Sequence, residues 1–225
     1  MLAKALRGVG QTLITFGVVI LFFCAYELWF TGLETRAEQK KGKAELLEEW
    51  AAPAPTATTA PNAPSAPAVE LGDGLAILRI PRIGRDYAKV VFEGVRMSDL
   101  KRGPGHYPGT ALPGQVGNFV VSGHRTTYGA PFGQQEELAL GDAIVVETRD
   151  RWFTYRVVLE EIVSPRDVAV ILPVPRKPGV RPTTALLTMT TCHPKYSARQ
   201  RLITTAELVA TEMKTAGRLP AALQG

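Results

Sequence analysis

Hydrophobicity along this chain falls into three regimes. Residues 8–26 are nineteen consecutive positions without a charge, and with Glu27 tolerated the apolar run extends to Phe30. About 20 such residues in a helix cross a bilayer core of roughly 30 Å. Tyr26 and Trp29 stand at the end of the run, where interfacial aromatics belong. A cleaved signal peptide has a shorter apolar core followed by small residues, whereas this run ends on Tyr26, Leu28, Trp29 and Phe30. A lipoprotein anchor at Cys24 would want a small residue before it, and Phe23 is there. The pattern predicts an uncleaved membrane-spanning helix.

The second regime is polar. Residues 35–51 read as a charged helix or solvated stalk, and residues 51–68 are almost entirely Pro, Ala and Thr. The latter composition buries no core and predicts an extended, semi-rigid spacer.

The third regime begins near Leu71, where short apolar stretches alternate with turn residues. Strands are expected at 76–80, 89–92, 118–123, 142–148, 152–163, 184–191 and 201–208, with short helical pieces at 98–102 and 134–138. Some seven or eight short strands in a stretch of about 140 residues predict an antiparallel barrel or sandwich. Between two of them, residues 164–182 hold Pro165, Pro173, Pro175, Pro178 and Pro182 among Val168, Val170, Ile171, Leu172 and Val174. A loop this long and apolar is usually functional.

Composition narrows the function. The net charge of +5 comes without any run of five basic residues, so a nucleic-acid role lacks support. The two cysteines, Cys24 and Cys192, form neither a disulfide framework nor a zinc spacing. Orientation is contested within the sequence itself. Lys4 and Arg7 precede the apolar run, and Arg36, Lys40, Lys41 and Lys43 follow it. That count alone places the C-terminal side inside, while the chemistry expected of the domain places it outside, and the second reading is adopted.

Cys192 closes an apolar stretch and is the lone cysteine of the domain. A thiolate nucleophile needs a partner for its proton, and histidine titrates near working pH. His193 is adjacent in sequence, so in an extended chain it points the other way. His106 lies in a turn-rich loop, where it can serve that loop's hydrogen bonding. His124 ends a second buried stretch, as Cys192 does. Acyl transfer also needs a donor for the developing oxyanion. No Asp or Asn completes an evident triad, which leaves Arg199 and Arg201 as candidates.

These residues resemble the sortases, and most closely class E. The resemblance rests on Thr188, Met189, Thr190, Thr191 and Cys192, which match the family's TLxTC pattern, on Ser122, Gly123, His124 and Arg125, and on Arg201, Leu202 and Ile203. It is supported by Tyr107 through Gly114 and by the His193, Pro194 pair. It covers roughly residues 71–209. It implies an all-β fold, an eight-stranded sortase-type β-barrel with short helices. It also implies Cys192 as nucleophile, His124 as acid/base and Arg201 as oxyanion stabiliser, with Arg199 as fallback. Substrate contacts would fall at Thr191, Tyr128, Val168 and Ile171, the last two in the Pro-rich loop.

The implied reaction is cleavage of an LPxTG- or LAxTG-like sorting signal between Thr and Gly through a thioacyl intermediate. The secreted protein that bears the signal would then pass to an amine of a lipid-linked peptidoglycan precursor. The enzyme would be a single-pass membrane protein with its catalytic domain outside, using no cofactor and no metal. The expected organisation is a cytoplasmic tail at 1–8, an anchor at 9–30, stalk and linker at 31–70, the catalytic domain at 71–209 and a tail at 210–225. A pilin-polymerising sortase would carry a lid motif before the barrel, and none is evident. A non-catalytic, wall-binding β-domain leaves the lone cysteine without purpose, and a cysteine hydrolase differs only in the acceptor.

Overall fold

The computed structural model describes residues 2–26, 31–52 and 70–224. The Pro/Ala/Thr-rich spacer falls almost wholly outside them. Helix α1 (Leu2–Ala25) is long and apolar enough to cross a membrane, and its side chains are exposed. Its two threonines return their hydroxyls to the helix: Thr12 Oγ1 donates to the Gly8 carbonyl (3.0 Å) and Thr15 Oγ1 to that of Gln11 (2.9 Å). That satisfies the only hydroxyls in the span without a neighbour.

Eight strands close into a barrel: β1 (Gly74–Arg79), β2 (Ala88–Glu93), β3 (Gly105–His106), β4 (Gly117–Ser122), β5 (Ala143–Glu147), β6 (Arg151–Val163), β7 (Ala185–His193) and β8 (Gln200–Met213). Their order around the barrel is β1-β2-β3-β4-β7-β8-β6-β5. The purely antiparallel expectation needs correction, because β2 pairs with β3 and β4 with β7 in parallel. A parallel pair requires a long crossover. For β4 and β7 that crossover is everything between them, including the β5–β6 hairpin and the Pro-rich loop.

Alternation sorts the strand residues. Phe119 and Val121 of β4, Leu187 and Met189 of β7, and Ile144 and Val146 of β5 fill the interior with Phe132, Tyr155 and Ala206. Strand β3 escaped the sequence reading because it is two residues long and flanked by Gly and Pro. Strand β8 runs to Met213, so the barrel extends past the expected boundary at 209.

The charged segment after the membrane helix is α2 (Thr31–Ala51), and it is docked on the barrel. Leu46 packs with Ile77, Val90 and Phe92 on the outer face of β1 and β2. Gln39 works as a substitute strand residue: Oε1 accepts from Val90 N–H (2.8 Å), and Nε2 donates to the carbonyls of Val90 (3.1 Å) and Arg102 (2.9 Å). Arg102 ends the short helix α3 (Met97–Arg102). The folded unit therefore includes residues 31–51, which the sequence had assigned to the stalk and linker.

Candidate active site

Phe119 and Val121 face inward, so Asn118, Val120 and Ser122 face outward along β4; on β7 the outward set is Leu186, Thr188, Thr190 and Cys192. Ser122 is the register partner of Thr190. The parallel ladder continues one step past the strand, because Gly123 N–H donates to the Thr190 carbonyl (3.1 Å). A Cβ on Gly123 would stand 2.7 Å from the ring of Phe132, an interior residue. Parity thus returns His124 to the outer face beside Cys192. On the other side of Cys192 its register partner is Arg201, and the partner of Arg201 on β6 is Val163. Neighbouring strands lie about 4.8 Å apart, so the backbone sets Cys192 and Arg201 side by side on β7 and β8 and His124 just past the end of β4, with no hydrogen bond from His124 Nε2 to the thiol. The site is on the outer wall of the barrel, near the strand ends.

His124 is half-buried, and its Nε2 has no hydrogen-bond partner among the described residues, while Nδ1 stands 3.4 Å from Thr127 Oγ1. Burial holds its pKa below the ordinary imidazole range, because a desolvated imidazolium is disfavoured. The unpaired Nε2 is buried, so it is held away from water. Arg201 is partly exposed, and its Nη1 donates to the carbonyls of Ala198 (3.1 Å) and Gln200 (3.0 Å). The rest of its five-donor fork remains for a ligand. Arg199 is exposed on the β7–β8 connection, and its backbone N–H bonds Ser197 Oγ (3.3 Å).

The four expected substrate contacts fare differently. Val168 is 69% exposed on the Pro-rich loop, and Ile171 packs beside Val163, Val170 and Ile203. Thr191 is buried and does not face the groove: its Oγ1 donates to the Gly123 carbonyl (2.7 Å), tying β7 to the residue before His124. That is the inward parity of Leu187 and Met189. Tyr128 places its ring 4.8 Å from that of His124. His106 is committed elsewhere, with Nδ1 2.6 Å from Glu93 Oε2 and Nε2 2.8 Å from Thr110 Oγ1 in a buried cluster.

Several residues of the site escaped the sequence reading. Strand β6 ends beside Arg201 and β7 begins at the opposite end, so residues 164–184 must travel along the outside of the barrel. Asn118 pins that crossing: Nδ2 donates to the carbonyls of Val170 (3.1 Å) and Leu172 (3.0 Å), and Oδ1 accepts from Thr188 Oγ1 (2.7 Å). Arg176 braces it further, bonded to Glu161 (2.6 Å) and Asp167 (2.9 Å). Beyond Asn118 lies a cavity of about 550 Å³ lined by Thr110, Ala111, Gln115, Ile171, Leu172 and Pro182 among others. On the other flank Glu136 bridges Lys195 (2.7 Å) and buried Arg125 (2.5 Å). Lys195, by its hydrogen bond, and then Arg125 hold the Glu136 carboxyl below the usual range. The bridge joins the β7–β8 connection to the loop after His124. No group of three His, Cys, Asp or Glu side chains able to hold a metal occurs among the described residues.

Comparison with known proteins bears on the fold and the family. Residues 78–209 match the model of the sortase domain. The chain is 35% identical over 222 residues to sortase SrtE1 of Streptomyces coelicolor, covering 95% of this chain and 60% of that protein's length. Sortase E from Streptomyces avermitilis superposes with a TM-score of 0.62 at 44% identity, over 69% of this chain and 99% of that one. Sortase E1 from S. coelicolor with a tripeptide in the active site superposes at 0.60 and 36% identity, over 67% of this chain and 96% of that one. The chain spans about 60% of the length of its SrtE1 relative; it belongs to the sortase family, and its likeness is to the class E members.

Proposed function

We propose that this protein is a membrane-anchored transpeptidase that cleaves an LPxTG- or LAxTG-like sorting signal between Thr and Gly and transfers the acyl part to a cell-wall precursor amine. The observation that carries the reading is the placement of Cys192 and Arg201 as register partners on β7 and β8, with His124 just past the end of the neighbouring β4. The tripeptide held in the active site of the S. coelicolor relative supports a peptide substrate.

In this mechanism the Cys192 thiol gives its proton to His124 Nε2, and the sulfur attacks the Thr carbonyl carbon. Arg201 and a backbone N–H meet the oxyanion. The tetrahedral adduct collapses, the C–N bond breaks, and the imidazolium protonates the departing glycine amine. A thioester on Cys192 and a neutral His124 remain. The acceptor amine then attacks the thioester, its proton passes to His124, and the thiolate leaves and is reprotonated. Helix α1 would keep the enzyme at the membrane, where a lipid-linked acceptor also resides, with the barrel on the outer side.

The test is incubation of the full chain in detergent micelles with LAxTG and LPxTG peptides and an amine, followed by mass spectrometry. The expected results are a thioacyl adduct on Cys192 and an amide product with the amine. Cys192→Ala should abolish both, and His124→Ala should slow turnover by about 10²–10⁴-fold. Peptide cleavage that persists in Cys192→Ala would overturn the proposal.

A further inference from the structure

Helix α2 and the loop after His124 meet on one side of the barrel. Thr35 of α2 is buried, and its Oγ1 donates to the carbonyl of Lys101 in α3 (2.7 Å). The same side chain abuts Gly129, where an added Cβ would stand 3.4 Å from Thr35 Cγ2. Lys101 Nζ sits 5.5 Å from the centre of the Tyr128 ring, and that ring lies 4.8 Å from the His124 imidazole, inclined at 45°. The backbone between these contacts is strained. Tyr128, Gly129 and Ala130 have φ of 50°, 70° and 42°, a region that residues with a Cβ seldom occupy. Such a conformation persists only where its surroundings impose it. Here Thr35 and Lys101 press from one side. On the other, Ala130 N–H is bonded to Thr127 O (2.9 Å) and Phe132 N–H to His124 O (3.1 Å).

We propose that Tyr128 is a positioning residue for His124 and that docking of α2 holds it in place. This rests on the reading of His124 as the acid/base. The tyrosine ring packs against the imidazole and limits how far it can swing. It also shields the imidazole from solvent, in keeping with the lowered His124 pKa. The element next to the membrane helix in sequence is therefore also the one that braces the loop carrying the acid/base.

The test uses the full chain in micelles, with kcat and KM measured on a sorting-signal peptide for Tyr128→Ala, Tyr128→Phe, Thr35→Ala and the Tyr128→Ala/Thr35→Ala double variant. Misplacing a catalytic group costs rate, not binding. Tyr128→Ala should lose at least about tenfold in kcat with KM within about twofold, and Tyr128→Phe, which keeps the ring, should stay within about twofold of the wild type. Thr35→Ala should lose about threefold, and the double variant should be no worse than Tyr128→Ala alone, because both act through one contact. Wild-type kcat in Tyr128→Ala, equal loss in Tyr128→Phe, or multiplying losses in the double variant would overturn the proposal. Thr35→Ala, which leaves the loop sequence intact, carries the test should Tyr128→Ala fail to fold. His124→Ala separates the two levels. Undiminished turnover there removes the acid/base assignment, while an inactive His124→Ala beside an unaffected Tyr128→Ala removes only the positioning role.

Discussion

Cys192 of β7 and Arg201 of β8 are direct register partners in the barrel wall. Only eight residues, 193–200, separate them, so the strand turn itself brings the two positions side by side. In the free enzyme the Arg201 guanidinium caps its own turn through the carbonyls of Ala198 and Gln200. In the proposed mechanism an oxyanion would compete with those two carbonyls for the guanidinium.

Arg201→Ala is therefore expected to lower kcat by about 10²–10³-fold, the usual loss for one oxyanion donor. Arg199, exposed and two residues back, should tolerate alanine with kcat/KM within about threefold. Steady-state kinetics on both variants decides the assignment. The reverse ranking would shift the oxyanion role to Arg199.

The Pro-rich loop is pinned by one amide. Asn118 holds two loop carbonyls and is itself held by Thr188. Asn118→Asp replaces the donor with a carboxylate facing the Val170 and Leu172 carbonyls, which repels the loop. The expected outcome is a KM raised by about tenfold or more with a smaller change in kcat, as for lost ground-state binding. Unchanged KM, together with unchanged proteolysis at residues 164–184, would show that the loop does not need this anchor.

How much of this was legible beforehand follows from the length scale of each feature. The strands that bear Cys192 and His124 announce themselves as apolar runs, and the two residues could be singled out because each closes one. Their adjacency was not readable, because it depends on the parallel pairing of β4 with β7 across a separation of more than sixty residues. Thr191 precedes Cys192 and therefore faces the opposite way along β7, where it is buried. The docking of α2 left no apolar stripe to find. Its buried positions are Thr31, Thr35, Gly42 and Leu46, and Gly42 is small because the Phe92 ring lies against it: an added Cβ would stand 2.7 Å from that ring. Contact through small and polar residues looks, in sequence, like a solvated face.

Alkaline stability should depend on two tyrosines with shielded hydroxyls, Tyr87 and Tyr155, of which Tyr155 illustrates the sign. Tyr155 is fully buried inside the barrel, its hydroxyl accepting from Gly114 N–H (2.8 Å). Burial, only partly offset by that bond, pushes its pKa up to about 12. The unfolded chain ionises tyrosine near 10, so above that pH the unfolded state has lost a proton that the folded state retains, and stability falls as pH rises. The contribution is fully present below about pH 10. A spectrophotometric titration of the chain's six tyrosines should leave two unionised at pH 11, Tyr155 and Tyr87, whose burial raises its pKa further still, and release them together with the loss of near-UV ellipticity. Full ionisation of all six at pH 11 with the fold intact would contradict this.

Gln39 makes the last argument, since it tests where the folded unit begins. Its side-chain amide supplies partners to both the N–H and the carbonyl of Val90, and to the Arg102 carbonyl. Val90 is 1% exposed, so no solvent replaces those partners on substitution. A buried polar group left unpaired costs about 1–3 kcal/mol. Gln39→Ala should therefore destabilise the protein by about 2–3 kcal/mol, which for a unit of this size lowers Tm by about 5–10 °C. Calorimetry on the full chain reads the shift. Limited proteolysis should in parallel cut within 31–51 sooner than in the wild type, because the helix loses the bonds that tie it to the edge of β2. If α2 were a stalk that only lies beside the barrel, both measurements would stay at their wild-type values.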